Sequence, residues 1–248
     1  MYSVDYTAAP AEIGCDARKI RRNKFLEEIY LDFYERILVE IPPQQFPKAL
    51  EVGSGGGFLK ELAPHVMTSE CVAAPGIERV VDACNIGDSF ADGALDAICA
   101  LNVFHHLPNA SGFLRGASRV LRPGGRVVLV EPWFTPIGQW FHRWIHFEPS
   151  VDDPNFWGIV GEGRMSANTR LPTSVFRDSN ERFGREFPEL YVRKLEPFHK
   201  WLYLFSGGLR LNTRVPRFAA RRLVAWDRHL ASGNGLLGIF GLIVVERV

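Results

Sequence analysis

Apolar residues fall into two rhythms along these 248 residues. Leu26, Ile29, Tyr30, Phe33 and Ile37 recur at three- and four-residue steps, which gathers them on one face of a helix. Asp16 is a fair N-cap, so that helix is expected to run from there to about Glu40, where the proline-rich stretch 42–47 ends it. From residue 48 the rhythm changes to short, continuous apolar runs at 48–52, 65–70 and 79–83. A further run at 95–107 reads as a strand passing into a loop, and 121–132 as a helix end, a Pro-Gly-Gly turn and a fifth strand. Runs of this length between turn residues are the mark of strands buried on both faces, and helical stretches between them imply a parallel sheet. Toward the end, 189–197 reads as a sixth strand and 239–247 as a last, buried one. Between them, 215–230 is expected to be a helix with Phe218, Leu223, Val224 and Trp226 facing inward.

The first strand ends in Ala-Leu-Glu-Val-Gly-Ser-Gly-Gly-Gly-Phe at 49–58, with four glycines in the five positions 53–57. Glycines after a strand let the backbone take positive φ and let a ligand approach without meeting a Cβ. A helix beginning at Phe58 would add free N–H groups that favour polar or anionic ligand atoms. Such a cradle, at the carboxyl end of a first strand, is where open α/β sheets bind nucleotides. The dinucleotide pattern Gly-x-Gly-x-x-Gly fails here, because Phe58 stands at its third glycine. A glycine-rich turn without a ligand is the plain alternative.

The string Glu51, Gly53, Gly55, Gly57 (acid-x-Gly-x-Gly-x-Gly) resembles motif I of class I S-adenosylmethionine-dependent methyltransferases. The downstream order agrees. Glu70 closes the second strand 19 residues after Glu51 (70 − 51), Asp82 ends the third, and the fourth and fifth follow in order. Residues 48–132 together resemble the methyltransferase type 11 group, akin to ubiquinone/menaquinone-biosynthesis methyltransferases. The resemblance implies a doubly wound α/β fold with a seven-stranded, mostly parallel sheet, the last strand lying antiparallel between the fifth and sixth. It also implies S-adenosyl-L-methionine as cofactor. Gly53, Ser54, Gly55 and Gly57 would wrap its methionine and ribose, Glu51 would orient the loop or the amino group, and Glu70 would bind the ribose hydroxyls. Asp82 with Ala83 would lie beside the adenine, and Leu101 and Asn102 would line the methionine end. The family more often has Asp where Glu70 stands; a solvated surface glutamate is the alternative.

The same resemblance makes His105-His106-Leu107 a family hallmark, and the loop after the fourth strand lies near the transferred methyl. His105 and His106 are therefore the candidates for an acceptor-side base, with structural histidines as the other reading. Residues 133–188 break the alternation, and eight of the chain's 30 aromatics fall between Trp133 and Trp157. An insertion beside the strand ends that hold the cofactor is a natural lid, with Trp140, Trp144, His142 and His146 as acceptor-pocket candidates. Packing of these aromatics onto the core is the competing, non-exclusive reading. A single domain over 1–248 is expected: an arm and helix at 1–47, a cofactor half at 48–132, a lid at 133–188 and closing strands and helix at 189–248.

Composition narrows the partners. A net charge of +1 with 23% charged residues gives no field that would draw the chain to nucleic acid, and the basic clusters at 18–24 and 221–222 read as solvated helix faces. A small-molecule acceptor is expected. Cys15, Cys71, Cys84 and Cys99 form no Cys-x-x-Cys pair, and His142 with His146 lacks the internal glutamate of a zinc helix, so no metal is expected. The N-terminus has no basic and apolar leader, and the longest apolar stretch, 235–245, is short and broken by glycine. A cytoplasmic setting is expected. Two other functions stay open at this point: a nicotinamide-dependent oxidoreductase, disfavoured by Phe58 and by the absence of a Tyr-x-x-x-Lys pair, and a methyltransferase-like binding protein without turnover.

Overall fold

A computed structural model of the chain describes residues 17–135, 149–161, 166–198, 203, 215–231 and 238–248, with side chains of the late helix described through Asp227. The first long helix, α1, spans Lys24–Glu40. Its cap is Asn23, whose side chain accepts from the N–H groups of Phe25 and Leu26 at 3.2 Å each. The single helix expected from Asp16 is therefore interrupted. Residues 17–22 form a separate helical stretch, and Asn23, with φ −91° and ψ 93°, leaves helical geometry to cap the next. Asp16 itself lies outside the described residues.

Seven strands follow: β1 Ala49–Val52, β2 Val66–Glu70, β3 Arg79–Val80, β4 Leu95–Leu101, β5 Leu121–Pro132, β6 Leu190–Phe198 and β7 Phe240–Arg247. They form one sheet in the order β3-β2-β1-β4-β5-β7-β6. The first five strands pair in parallel, and β7 runs antiparallel between β5 and β6, as the sequence resemblance implied. β3 stops at Val80, short of the expected Asp82, because Asp82 turns its carboxylate to the Cys84 N–H and caps a 3₁₀ turn at Ala83–Asp88. A four-residue helix, α2 Leu59–Leu62, follows the glycines, and α3 Ala110–Val120 precedes β5.

Alternation along the strands divides the core into two layers. Leu50, Val52, Ile98, Ala100, Val127 and Leu129 pack with Phe113, Leu114 and Ala117 of α3. Ala49, Ala97, Cys99, Val128 and Val130 face Phe25, Ile29, Phe33 and Ile37 of α1. The late helix, α6 in chain order after the short α4 Leu171–Thr173 and α5 Asn180–Glu186, spans Arg217–Ala231. It is tied to α1 by Arg217 and Arg221, both paired with Glu28. Its inward face is Ala220, Val224 and Asp227, whereas Phe218 is 70% and Trp226 61% exposed and Leu223 is also on the outside. Of the four residues expected to point inward only Val224 does so. Among the described residues no helix is long and apolar enough to cross a membrane.

Candidate active site

The strand order reverses at β1, which has β2 on one side and β4 on the other, so the crevice past its carboxyl end is the switch point of the sheet. The glycine turn opens there. Gly53 and Gly55 take φ of +66° and +48°, the left-handed region that glycine enters without penalty. A Cβ on Gly53 would also stand 2.5 Å from Cγ2 of Val103, so the turn is packed against the loop that follows β4. A Cβ on Gly55 would meet nothing closer than Glu70 Oε1 at 3.6 Å. Space exists for it, and the left-handed backbone is what demands glycine there.

Hydrogen bonds fix this turn to β2. Ser54 N–H donates to the Ser69 carbonyl at 2.9 Å, Ser69 N–H donates to Ser54 Oγ at 3.1 Å, and Gly57 N–H closes onto the Ser54 carbonyl at 2.8 Å. Glu70 Oε1 accepts from Gly55 N–H at 2.8 Å. Its other oxygen accepts from Cys71 N–H at 3.2 Å. The acid expected at the ribose is thus half-buried at the mouth of the turn rather than a solvated surface residue. Burial first, then the charges of Glu70 and Asp82, push the neighbouring Cys71 thiol up to about 11. Asp82 is exposed, its carboxylate accepting from Cys84 N–H and from Asn85 Nδ2, and Ala83 beside it is buried.

Glu51 lies on the α1 side of β1 and is buried. Desolvation, with the Glu70 charge as a smaller contributor and the Ser54 hydrogen bond opposing, raises its carboxyl to about 8. It is therefore mainly protonated at neutral pH. Tyr34 of α1 reaches the same place: its hydroxyl accepts from Phe58 N–H at 3.2 Å and fills the space beside Gly57. Burial, then the nearby Glu51, raises this phenol well above its ordinary value.

The far wall is the loop after β4. Leu101 and Asn102 are half-buried there, and Asn102 has φ +56°, the one non-glycine residue with positive φ among those described. Its N–H donates to the Val130 carbonyl at 2.9 Å. Glu131, at the end of β5 and fully buried, gathers the next residues. Its Oε1 accepts from Val103 N–H at 2.8 Å and Phe104 N–H at 2.7 Å, and its Oε2 stands 2.6 Å from His105 Nδ1. His105 is buried, and His106 Nδ1 lies 2.9 Å from the Ser166 carbonyl, which obliges that nitrogen to carry a proton. Glu131 and Tyr34 were missed in the sequence reading. Only the acid ending an otherwise apolar fifth strand signalled the first, and nothing local marks the second, 23 residues before Gly57 (57 − 34).

The described part of the insertion is laced onto these loops. Asn168 N–H donates to the His105 carbonyl at 2.8 Å, and within the insertion Phe134 N–H donates to Thr173 Oγ1 at 2.9 Å. Trp133 and Trp157 are buried in the α3-side core, Trp157 stacking on Phe187, so these two aromatics are packing residues. Trp140, His142, Trp144 and His146 lie outside the described residues. Among the described residues no group of three or more His, Cys, Asp or Glu could hold a metal ion.

A parallel sheet with an antiparallel seventh strand, and an acid-tethered glycine turn at its switch point, define a nucleotide-cofactor α/β protein of the Rossmann-like type. The chain belongs to the methyltransferase domain family, which matches residues 22–157, more than half its length. It is 29% identical over 133 residues to 27-O-demethylrifamycin SV methyltransferase of Amycolatopsis mediterranei, covering 45% of this chain and 48% of that protein. It is 27% identical over 139 residues to the human thiol S-methyltransferase TMT1B, covering 56% and 48% respectively. The chain thus spans about half the length of the curated relatives it matches. Among solved structures, a SAM-dependent methyltransferase from Archaeoglobus fulgidus superposes with a TM-score of 0.52 at 16% identity, covering 88% of this chain and 94% of that one. That likeness establishes the shared fold.

Proposed function

We propose that this protein transfers a methyl group from S-adenosyl-L-methionine to a heteroatom or carbon of a small-molecule acceptor. The observation that carries the reading is the Glu70–Gly55 tether across left-handed Gly53 and Gly55 at the switch point, in a chain of the methyltransferase domain family. The cradle fits the cofactor: small residues and left-handed glycines form the turn, with Glu70 ending β2 and Asp82 just past β3 for hydroxyl and amine groups. Gly53, Ser54, Gly55 and Gly57 would hold the methionine and ribose, with Glu51 behind them. Glu70 would turn from Gly55 N–H to the ribose hydroxyls. Asp82 and Ala83 would flank the adenine, and Leu101 and Asn102 the methionine end. When bound, the cofactor supplies an electrophilic methyl on a sulfonium whose departing thioether is neutral, so no acid is needed on the leaving side. What the chain must supply is alignment of the acceptor and exclusion of water.

The acceptor side is proposed at residues 133–188, a lid whose Trp140, Trp144, His142 and His146 would line an apolar or aromatic pocket. His105 and His106 would orient the acceptor or take its proton where it is a hydroxyl or thiol. The relatives' names, one an O- and the other an S-methyltransferase, support heteroatom acceptors. Kinship with the ubiquinone/menaquinone-biosynthesis group rests on residues 48–132. A cytoplasmic setting is supported by Cys71, Cys84 and Cys99, the cysteines among the described residues, each of them free. Methyl-labelled cofactor incubated with a panel of phenols, thiols, amines and isoprenoid quinol analogues tests the reading. Label in a small-molecule product supports it; tight binding without label in any product points to a binding protein that lacks turnover.

A further inference from the structure

The late helix α6 holds its largest apolar side chains in water: Phe218, Trp226 and Leu223 are all exposed. Phe218, Arg222 and Trp226 stand four residues apart and Leu223 lies beside them, so the four share one arc, with Ala220, Val224 and Asp227 buried on the other. Single exposed apolar residues are ordinary, but a group on one arc marks a contact surface. Basic residues collect around it. The stretch 17–24 carries five Lys and Arg and no acid, and 217–227 carries three Arg against the buried Asp227, in a chain whose totals are 29 basic and 28 acidic. Two buried acids of α1 join the stretches. Glu27 pairs with Arg21 and Lys24, and although burial opposes, hydrogen bonds from Lys24 and Arg21 and the charges of Lys24 and Arg217 hold its carboxyl below the ordinary value. Glu28 takes Arg217 and Arg221. Arg18, Arg22 and Arg222 are exposed and make no ion pair among the described residues.

We propose that the exposed arc of α6, with the basic stretch 17–24 beside it, is a docking face for an anionic lipid bilayer. The helix would lie in the plane of the surface, with Phe218, Leu223 and Trp226 entering the headgroup–acyl boundary and Arg18, Arg22 and Arg222 meeting the phosphates. Shape and charge favour this occupant. One exposed helix is convex and suits a broad, deformable surface better than a partner that needs a groove. Self-association through the same arc would set Arg222 near its own copy, a like-charge contact. Single-stranded nucleic acid is held by aromatic platforms along a basic groove, and here Leu223 stands beside the two aromatics without one. The face also borders the crevice, since the Arg21 guanidinium lies 4.2 Å over the ring of Phe58, the residue that follows the glycine turn. The proposal holds whatever chemistry occurs there.

Flotation of the full chain with vesicles tests this. Vesicles of phosphatidylcholine with phosphatidylserine are expected to carry the protein at about 0.1 M salt and to release most of it at about 1 M, where the Debye length falls to about 3 Å. Vesicles of phosphatidylcholine alone are expected to carry little. Arg22→Glu with Arg222→Glu should weaken binding about tenfold or more, since each basic residue at such a surface contributes about a factor of five. Phe218→Ser with Trp226→Ser should do the same by removing the inserted area, again by about tenfold or more. Both variants should melt like the wild type, because all four residues are exposed. In Trp226→Phe, which should still bind, quenching of tryptophan fluorescence by brominated acyl chains is expected to drop. Failure to float with phosphatidylserine vesicles, wild-type affinity in either folded double variant, or undiminished quenching in Trp226→Phe would overturn the proposal. A dimer in sedimentation that the double variants abolish would give the face to a second copy instead, and tighter binding to single-stranded RNA than to vesicles would give it to nucleic acid. If the aromatic double variant does not fold, the charge variant and the quenching of Trp226 decide.

Discussion

The hydroxyl of Tyr34 occupies the space in which a Cβ on Gly57 would stand. A side chain from α1 therefore leaves no room for a Cβ at the last glycine of the turn, and its hydroxyl also accepts from Phe58 N–H at 3.2 Å. Gly57→Ala should destabilise the fold by about 1–3 kcal/mol, the usual range for overpacking. Tyr34→Phe should cost about 1 kcal/mol through its hydrogen bond. The double variant should be more stable than the sum of the two implies, because removing the hydroxyl vacates the space. Recovery will be partial, since the Ser54 carbonyl also crowds the new Cβ at 2.9 Å. Denaturant melts of the four proteins check this, and strict additivity would show that the contact carries no strain.

Glu51 gives the apo protein a pH dependence of defined sign. Its carboxyl titrates near 8 when folded, against a reference of 4.5, with burial as the main cause. Between those values the unfolded chain is ionised at this position and the folded chain holds the proton, so stability falls as pH rises through the window and levels off above about 8. Glu27, Glu78 and Glu246 are lowered instead, so their contribution is lost as pH falls below the ordinary carboxylate range, outside this window. Glu51→Gln should flatten the decline between pH 5 and 8 (roughly the window of an acid raised by burial). Equal pH slopes for variant and wild type would contradict the protonated assignment.

Glu70 connects the turn to the proposed ribose site. A charge-assisted hydrogen bond contributes about 1.5–3 kcal/mol. Glu70→Ala should therefore weaken S-adenosylmethionine binding at least tenfold (about 1.4 kcal/mol per decade) while the melting temperature changes little. Affinity within a factor of two of wild type would place the acid outside the cofactor site.

The exposure of α6 separates its residues cleanly. Trp226→Ala should alter stability by no more than about 0.5 kcal/mol, as for most surface positions. Val224→Ala, on the buried face at 7% exposure, should cost about 1 kcal/mol or more. A larger loss at Trp226 than at Val224 would mean that this face is covered.

The strands were legible because each apolar run is short and bounded, and their order in the sheet followed from the family resemblance. Glu51, Gly53, Gly55 and Glu70 could be placed from spacing, and the sheet brings them to one crevice. Two kinds of feature were not legible. The face of α6 was misread because Phe218 and Trp226 are apolar yet outward, while the buried Asp227 looked polar; hydropathy marks affinity, not location. Asn23 as a helix break was hidden by apolar residues on both sides that keep a helical period. Glu131 and Tyr34 act at long range, through contacts only the fold creates, and no local pattern announces them.

Titration calorimetry of the purified protein with S-adenosylmethionine, its demethylated product and NAD reads out whether the glycine turn is a methyl-donor site. Micromolar affinity for the first two (about −8 kcal/mol), no heat with NAD, and loss of binding in Gly55→Val, where a β-branched residue is forced to φ +48°, are the predicted results. NAD binding, or cofactor affinity unchanged in Gly55→Val, would rule out this turn as the S-adenosylmethionine site.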